Sequence, residues 1–353
     1  MKALIGAFFL AWMLGLLLVP MVRRMAIKLG LVDRPGSRKI HRHPVPRIGG
    51  LAIYTAGIMG ALPFLSDDIK TTGVMLAGTF IFLVGLIDDL IDLPAKVKLA
   101  GQILACIILV SFQVRIDFVT DFITGKGLVA LGLLTLPLTF AWVIGLTNTV
   151  NLVDGVDGLA GGIVFIALAT LIGVRLLSHH TQDAVVIGNV LVLTAAIMGA
   201  LLAFLRYNVH PASIFMGDSG AYFLGFMTSA LSVAGAAKGT ILLPLVIPLI
   251  AFGLPVLDVV FAILRRFFRK VPIFQADKEH LHHHLLRLGF SQADTTRFMW
   301  MVSSCFGLLA LLMADLRHRG LEAAILAALV LLIAACVVFF VNRTHDKTSR
   351  HLP

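Results

Sequence analysis

Charge is scarce in this sequence: Asp, Glu, Lys and Arg make up 14% of its 353 residues. A soluble globular domain carries about 25%. So few charges cannot cover a water-exposed fold, and so many apolar residues do not belong to a disordered chain. A soluble enzyme and a disordered segment are both excluded. Cysteine is scarce as well. Cys106, Cys305 and Cys336 lie far apart inside apolar runs, with no CxxC or metal-ligand spacing. They read as buried hydrophobes, which excludes a disulfide scaffold. The chain has no low-complexity tract and no internal repeat of a transporter kind.

What fills the chain is apolar. Ala, Val, Ile, Leu, Met, Phe, Trp, Tyr and Cys make up 59% of it, and the mean hydropathy is +0.97. Eleven runs approach the length of about 20 residues that a bilayer-spanning helix needs. They are 3–22, 48–65, 71–88, 99–115, 128–147, 158–178, 184–205, 219–236, 240–264, 293–314 and 321–342. The expected fold is therefore all-α: a polytopic membrane helix bundle forming one domain over residues 1–353. The first run reads as a retained helix, because only Lys2 precedes it while Arg23, Arg24 and Lys28 follow. A secretory signal has the opposite bias.

Placing loop 22–48 inside and alternating from there puts 21 of the 29 Lys and Arg on the cytoplasmic side. The positive-inside rule asks for this asymmetry. The N-terminus is then outside and the C-terminus cytoplasmic. Most of the net charge of +10 is topology. No soluble basic domain remains, so no nucleic-acid partner is expected. A basic inner face also suits anionic lipid head groups and phosphate substrates.

The inner segments 23–48, 88–98, 147–158, 206–219 and 265–292 are dense in Asp, Asn, His and Arg, whereas the outer loops are short and plain. Function is expected on the cytoplasmic face. Asp88, Asp89 and Asp92 sit at the inner end of the third run, with Lys96 and Lys98 close behind. Three carboxylates so near one another call for a cation, either a metal or those lysines. Asn148, Asn151, Asp154 and Asp157 recur at steps of three among glycines. Their amide and carboxylate oxygens are hard ligands of the kind Mg²⁺ takes. Phe215-Met-Gly-Asp218-Ser-Gly opens the eighth run, and Asn208 shares its loop. A lone Asp there is a good helix cap. Three Asp-rich boundaries on one membrane face ask for more.

His280, His282, His283 and His284 precede Arg287. A zinc site is one reading, although no cysteine accompanies them and the HExxH order is absent. Binding of a nucleotide diphosphate is the other. The basic, Pro-containing stretch Arg38 to Gly50 reads as a topology signal or as part of the same site. Asp258, inside an apolar run, is expected to pair with a nearby base such as Arg265.

In this order and on one face, these motifs resemble the polyprenyl-phosphate N-acetylhexosamine-1-phosphate transferase family, from about Asp33 to Phe290. The loop Glu-His280-Leu-His-His-His-Leu-Leu-Arg287-Leu-Gly-Phe looks most like the GlcNAc-type members rather than the pentapeptide transferases. The resemblance implies transfer of GlcNAc-1-phosphate from UDP-GlcNAc to undecaprenyl phosphate, with release of UMP. That step starts a cell-surface polysaccharide such as an O-antigen, common antigen or teichoic acid.

The resemblance also assigns roles. Asp88 and Asp89 are catalytic, with Asp88 a base or, alternatively, a nucleophile. Asn151 and Asp218 hold Mg²⁺, with Mn²⁺ as substitute. Lys98 binds the lipid phosphate. Asp154, Asp157, Asn208 and Phe215 line the nucleotide. His280, His282, His283, His284 and Arg287 bind the diphosphate or sugar. The implied setting is a bacterial inner membrane with lipid contacts and a homodimer. Other UDP-N-acetylhexosamines remain open as donors. A cation transporter is the rival class, but it would carry its acids near mid-membrane on broken helices. Intramembrane aspartyl proteases and CDP-alcohol phosphotransferases fit less well. Met216-Gly-Asp218 lacks the first glycine of GxGD, and Asp157-Gly-Leu-Ala-Gly lacks the arginine of DGxxAR.

Overall fold

The computed structural model describes residues 1–33, 44–120, 128–177, 183–235, 252–253, 256–258, 266 and 281–315. Ten helices are described: α1 Lys2–Lys28, α2 Gly50–Ala61, α3 Ile69–Ile91, α4 Ala95–Ser111, α5 Thr135–Val153, α6 Leu159–Leu177, α7 Ala184–Asn208, α8 Gly217–Ala234, α9 Leu281–Arg287 and α10 Gln292–Asp315. Two 3-10 turns, Leu62–Phe64 and Gly132–Leu134, and two small antiparallel ladders complete the described elements. β1 Val32–Asp33 pairs with β2 Val45–Pro46, and β3 Phe118–Thr120 pairs with β4 Leu128–Ala130.

Six helical segments among the described residues are long and apolar enough to cross a membrane. They are Lys2–Lys28, Ile69–Ile91, Gly132–Val153, Leu159–Leu177, Ala184–Asn208 and Gln292–Leu312. Of the other expected spans, 48–65 forms a shorter apolar helix, Gly50–Phe64. Run 99–115 forms the 17-residue α4, and 219–236 forms the 18-residue α8. Run 321–342 and nearly all of 240–264 lie outside the described residues.

Small residues set the packing. Ala7, Ala11, Gly15, Val19, Val22 and Ala26 make one buried stripe along α1 at mostly four-residue spacing. The stripe lies on α7, where Gly15 faces Ala203. Without a hydrophobic drive between helices in lipid, this close backbone approach is what holds them together. At one end of the bundle, Asp68 caps α3 by accepting from the Thr71 N–H at 2.7 Å. Asn189 of α7 bonds the Ser66 carbonyl and the Thr71 hydroxyl beside it.

α8 is the axis. Every side chain from Ser219 to Val233 is buried. α8 packs against α2, α3, α5, α6 and α7. Hydrogen bonds show which helix ends meet at its N-terminal end. Arg23 of α1 donates to the Ser213 carbonyl at 3.1 Å, and the Gly50 N–H of α2 donates to the Met216 carbonyl at 2.7 Å. The C-terminal ends of α1, α3, α5 and α7 gather there with the N-terminal ends of α2, α4, α6, α8 and α10.

Candidate functional site

The gathered ends carry the polar motifs. Asp88 lies one turn from the end of α3, with 0% of its surface exposed. Its Oδ1 accepts the Leu93 N–H at 2.8 Å, which tightens the turn into α4. Its Oδ2 stands 2.5 Å from the Lys98 ammonium. Lys98 sits in the first turn of α4 and also approaches Asp218 Oδ2, at 3.7 Å. The other Asp218 oxygen accepts from Asn151 Nδ2 at 2.5 Å. Asp88, Lys98, Asp218 and Asn151 therefore form one connected cluster drawn from α3, α4, α8 and α5.

Asp89 does something different from its neighbour. Successive residues on a helix point about 100° apart, and this rotation turns Asp89 toward α8. Its Oδ1 accepts the Asp218 N–H at 2.8 Å. Its Oδ2 accepts the Ser219 N–H at 3.0 Å and the Ser219 hydroxyl at 2.6 Å. A carboxylate from another helix thus caps the N-terminus of α8, where the helix dipole favours negative charge. The approach needs a glycine. Gly217 has φ +75°, and a Cβ there would overlap the Arg47 carbonyl oxygen and crowd the Asp89 carboxylate. Asp92 ends α3 in a left-handed conformation, with φ 51°. It is exposed, with Oδ1 3.4 Å from an Arg47 guanidinium nitrogen.

The turn between α5 and α6 forms a second wall. Asp154 is the residue after α5. Burial, then repulsion from Asp218, Asp89 and Asp157, pushes its carboxyl up to about 7. A raised carboxyl takes up a proton on folding, so its ionisation destabilises the folded state. Stability of the cation-free protein is therefore expected to fall as pH rises from about 4 to about 7 and then level off. Asp154→Asn is expected to flatten that slope in EDTA. Thermal unfolding followed by tryptophan fluorescence across this range checks it.

Asp157 ties three elements together. Its Oδ2 meets His210 Nδ1 at 2.8 Å and accepts the Ala212 N–H at 3.0 Å. Its carbonyl accepts the Thr296 hydroxyl of α10 at 3.0 Å. Asn208 is buried, with Oδ1 accepting the Gly158 N–H at 3.1 Å and Nδ2 donating to the Ile214 carbonyl at 2.9 Å. Phe215 is half-buried, its backbone paired with Pro46 and Gly49.

The histidine segment begins within the described residues at α9, so His280 lies outside them. His282 is buried with its ring over Gly155, where an added Cβ would be 3.1 Å from Nε2. His283 is half-buried, its ring centroid 4.4 Å from that of His282. His284 is buried and Arg287 exposed. α9 is thereby brought beside the α5–α6 turn. Asp258, expected to pair with a base, accepts the Leu281 N–H at 3.0 Å from within a buried setting. Arg265 lies outside the described residues.

Several contributors went unread in the sequence. They include the Ser219 hydroxyl, His210, Thr296 and Gln102, which exchanges two hydrogen bonds with Asn148. Only Gln102 carried a signal, its four-residue spacing from Lys98 on one helix face.

Comparison with known proteins adds to this geometry. The model of a family described as glycosyl transferase family 4 matches residues 71–236. The chain is 38% identical to a probable undecaprenyl-phosphate N-acetylglucosaminyl 1-phosphate transferase of Bacillus subtilis (strain 168), over 89% of this chain and 86% of that protein. The chain belongs to glycosyl transferase family 4. A decaprenyl-phosphate N-acetylglucosaminephosphotransferase of Mycobacterium tuberculosis (strain H37Rv) is similar at 36% identity, over 92% of this chain and 86% of that protein. A phospho-N-acetylmuramoyl-pentapeptide-transferase of Thermoanaerobacter sp. (strain X514) is similar at 32%, over 85% and 94%. The family 4 match starts within α3 and ends just after α8. It contains the lysine–carboxylate cluster and leaves out α9.

Proposed function

We propose that this chain transfers GlcNAc-1-phosphate from UDP-GlcNAc to undecaprenyl phosphate, releasing UMP, as the first step of a cell-surface polysaccharide. The observation that carries this reading is the Asp88–Lys98–Asp218–Asn151 cluster at the end of a helical bundle. It sets one cation among carboxylates where a phosphate from the membrane and one from solution can meet. The two relatives named above at 38% and 36% identity both carry GlcNAc in their names, which favours that donor over a pentapeptide-bearing one.

An acceptor phosphate oxygen attacks the β-phosphorus of the donor. A new P–O bond forms there as the bond to UMP breaks. Such a transfer needs positioning and charge neutralisation more than covalent help. Lys98 holds the anionic lipid phosphate. Asp88 orients Lys98 and takes a proton from an acceptor that arrives protonated. Direct attack is favoured over a phospho-aspartate, because a phosphate monoester is already anionic near neutral pH and needs little activation. Asp89 serves by fixing the backbone of Asp218.

The residues present fit a divalent cation. Asp88 and Asp218 share a single close lysine, and Asp154, raised to about 7 first by burial and then by repulsion from Asp218, Asp89 and Asp157, adds a third carboxyl beside them. Asn151 Oδ1 and the Asp218 carboxylate would hold the ion, a set of the size Mg²⁺ uses when substrate oxygens and waters complete its shell. When bound, Mg²⁺ or Mn²⁺ would supply charge neutralisation and Lewis-acid polarisation of a phosphoryl oxygen of the diphosphate. Asp154 and Phe215 face the nucleotide, while Asp157 and Asn208 shape that wall. His280, His282, His283, His284 and Arg287 contact the diphosphate or sugar.

In this reading the eleven-span topology holds, with the N-terminus outside and the site on the cytoplasmic face of a bacterial inner membrane. The test is UMP release by purified protein with undecaprenyl phosphate, Mg²⁺ and a panel of UDP-sugars. Lipid-dependent release from UDP-GlcNAc that EDTA abolishes is expected. Folded protein that releases no UMP from any donor would return a transporter to the front.

A further inference from the structure

One amide pair, buried at Gln102 and half-buried at Asn148, lies directly behind the cluster. Gln102 Nε2 donates to Asn148 Oδ1 at 3.2 Å, and Asn148 Nδ2 donates to Gln102 Oε1 at 2.7 Å. Asn148 Nδ2 also donates to the Ile144 carbonyl at 2.8 Å. That third bond fixes which way the Asn148 amide faces, and the amide in turn fixes Gln102. Gln102 is 3% exposed. The pair stands one turn from the chemistry on both helices. Lys98 precedes Gln102 by four residues on α4, and Asn151 follows Asn148 by three on α5, so each couple shares a helix face. The pair and the Lys98–Asp218–Asn151 contacts are successive rungs between α4 and α5.

We propose that Gln102 is a positioning residue: through Asn148 it sets the separation between the lysine that holds the acceptor phosphate and the amide that holds the divalent cation. This rests on the transferase reading above. Neither amide touches the reacting atoms. In a bundle surrounded by lipid, little water competes for such bonds, and the reciprocal geometry resists both sliding and rotation of α4 on α5. A displacement of about 1 Å at a phosphoryl-transfer site costs orders of magnitude in rate, so the rung bears on kcat rather than on donor affinity.

Gln102→Leu removes both bonds at similar volume. Gln102→Asn combined with Asn148→Gln exchanges the long and short amides and keeps their combined reach. Three quantities are measured for each in detergent: UMP release, Mn²⁺ affinity of the substrate-free protein by electron paramagnetic resonance, and unfolding temperature. Gln102→Leu is expected to lower kcat about tenfold, weaken Mn²⁺ about fivefold and leave KM for UDP-GlcNAc within about twofold. The exchanged pair is expected to recover at least about half of both losses. Unchanged Mn²⁺ affinity in Gln102→Leu overturns the proposal. So does a loss of activity that only tracks a lowered unfolding temperature, or one the exchanged pair fails to rescue. If wild-type protein releases no UMP, the transferase reading fails by itself, and Mn²⁺ affinity and its rescue still decide the role of Gln102.

Discussion

Asp218→Asn is expected to lower UMP release about a thousandfold while leaving the protein folded. The reason lies in the division of labour at the start of α8. The Asp218 backbone N–H is held by Asp89, so the cap survives the substitution. The carboxylate meets Lys98 and Asn151, and it is the negative half of the proposed cation site. An amide of the same shape keeps a contact to Asn151 but loses the charge. Mn²⁺ affinity should fall with turnover, and the unfolding temperature should stay close to wild type. Near-normal UMP release with unchanged Mn²⁺ affinity would remove Asp218 from the reaction.

Asp89→Ala is expected to fail earlier, at folding. The substitution leaves two buried N–H groups and one buried hydroxyl at the start of α8 without their acceptor. Each such loss costs about 1–3 kcal/mol, so the total is on the order of 3 kcal/mol or more, a large share of ordinary stability. Lower yield of monodisperse protein and a clear drop in unfolding temperature should follow. Asp89→Asn, which keeps one acceptor oxygen, should fall between. A wild-type unfolding temperature in Asp89→Ala, with activity lost, would instead make Asp89 a reacting group.

These two aspartates mark where the sequence stops being readable. Asp88, Lys98, Asn151 and Asp218 were visible as polar residues in fixed spacing at apolar boundaries, and the structure joins all four. Asp89 reads the same as Asp88 in a string of letters. Only the 100° turn of a helix, and a partner 129 residues away, separates their environments. Asn208 likewise lies in a motif-bearing loop, yet both of its amide atoms bond backbone. The span at 71–88 was legible because α3 is long and apolar. The 48–65 and 99–115 runs were read as spans from hydropathy. Hydropathy does not show that α2 gives way after Ala61 to a single 3-10 turn, Leu62–Phe64, with Pro63 inside it, or that α4 ends at Ser111. Gln102 shows a further gap: a polar residue inside an apolar helix is noticeable, but its partner is not.

The place of α8 bears on how such a protein is made. Membrane helices leave the ribosome in order, and α8 follows seven others, of which α2, α3, α5, α6 and α7 pack around it. It is also not among the six described segments apolar enough to cross by themselves. Its seat in the bundle therefore owes more to the helices around it than to its own hydropathy. Assembly and chemistry then share a step, because the docking of α8 among the earlier helices is what brings Asp218 to Lys98.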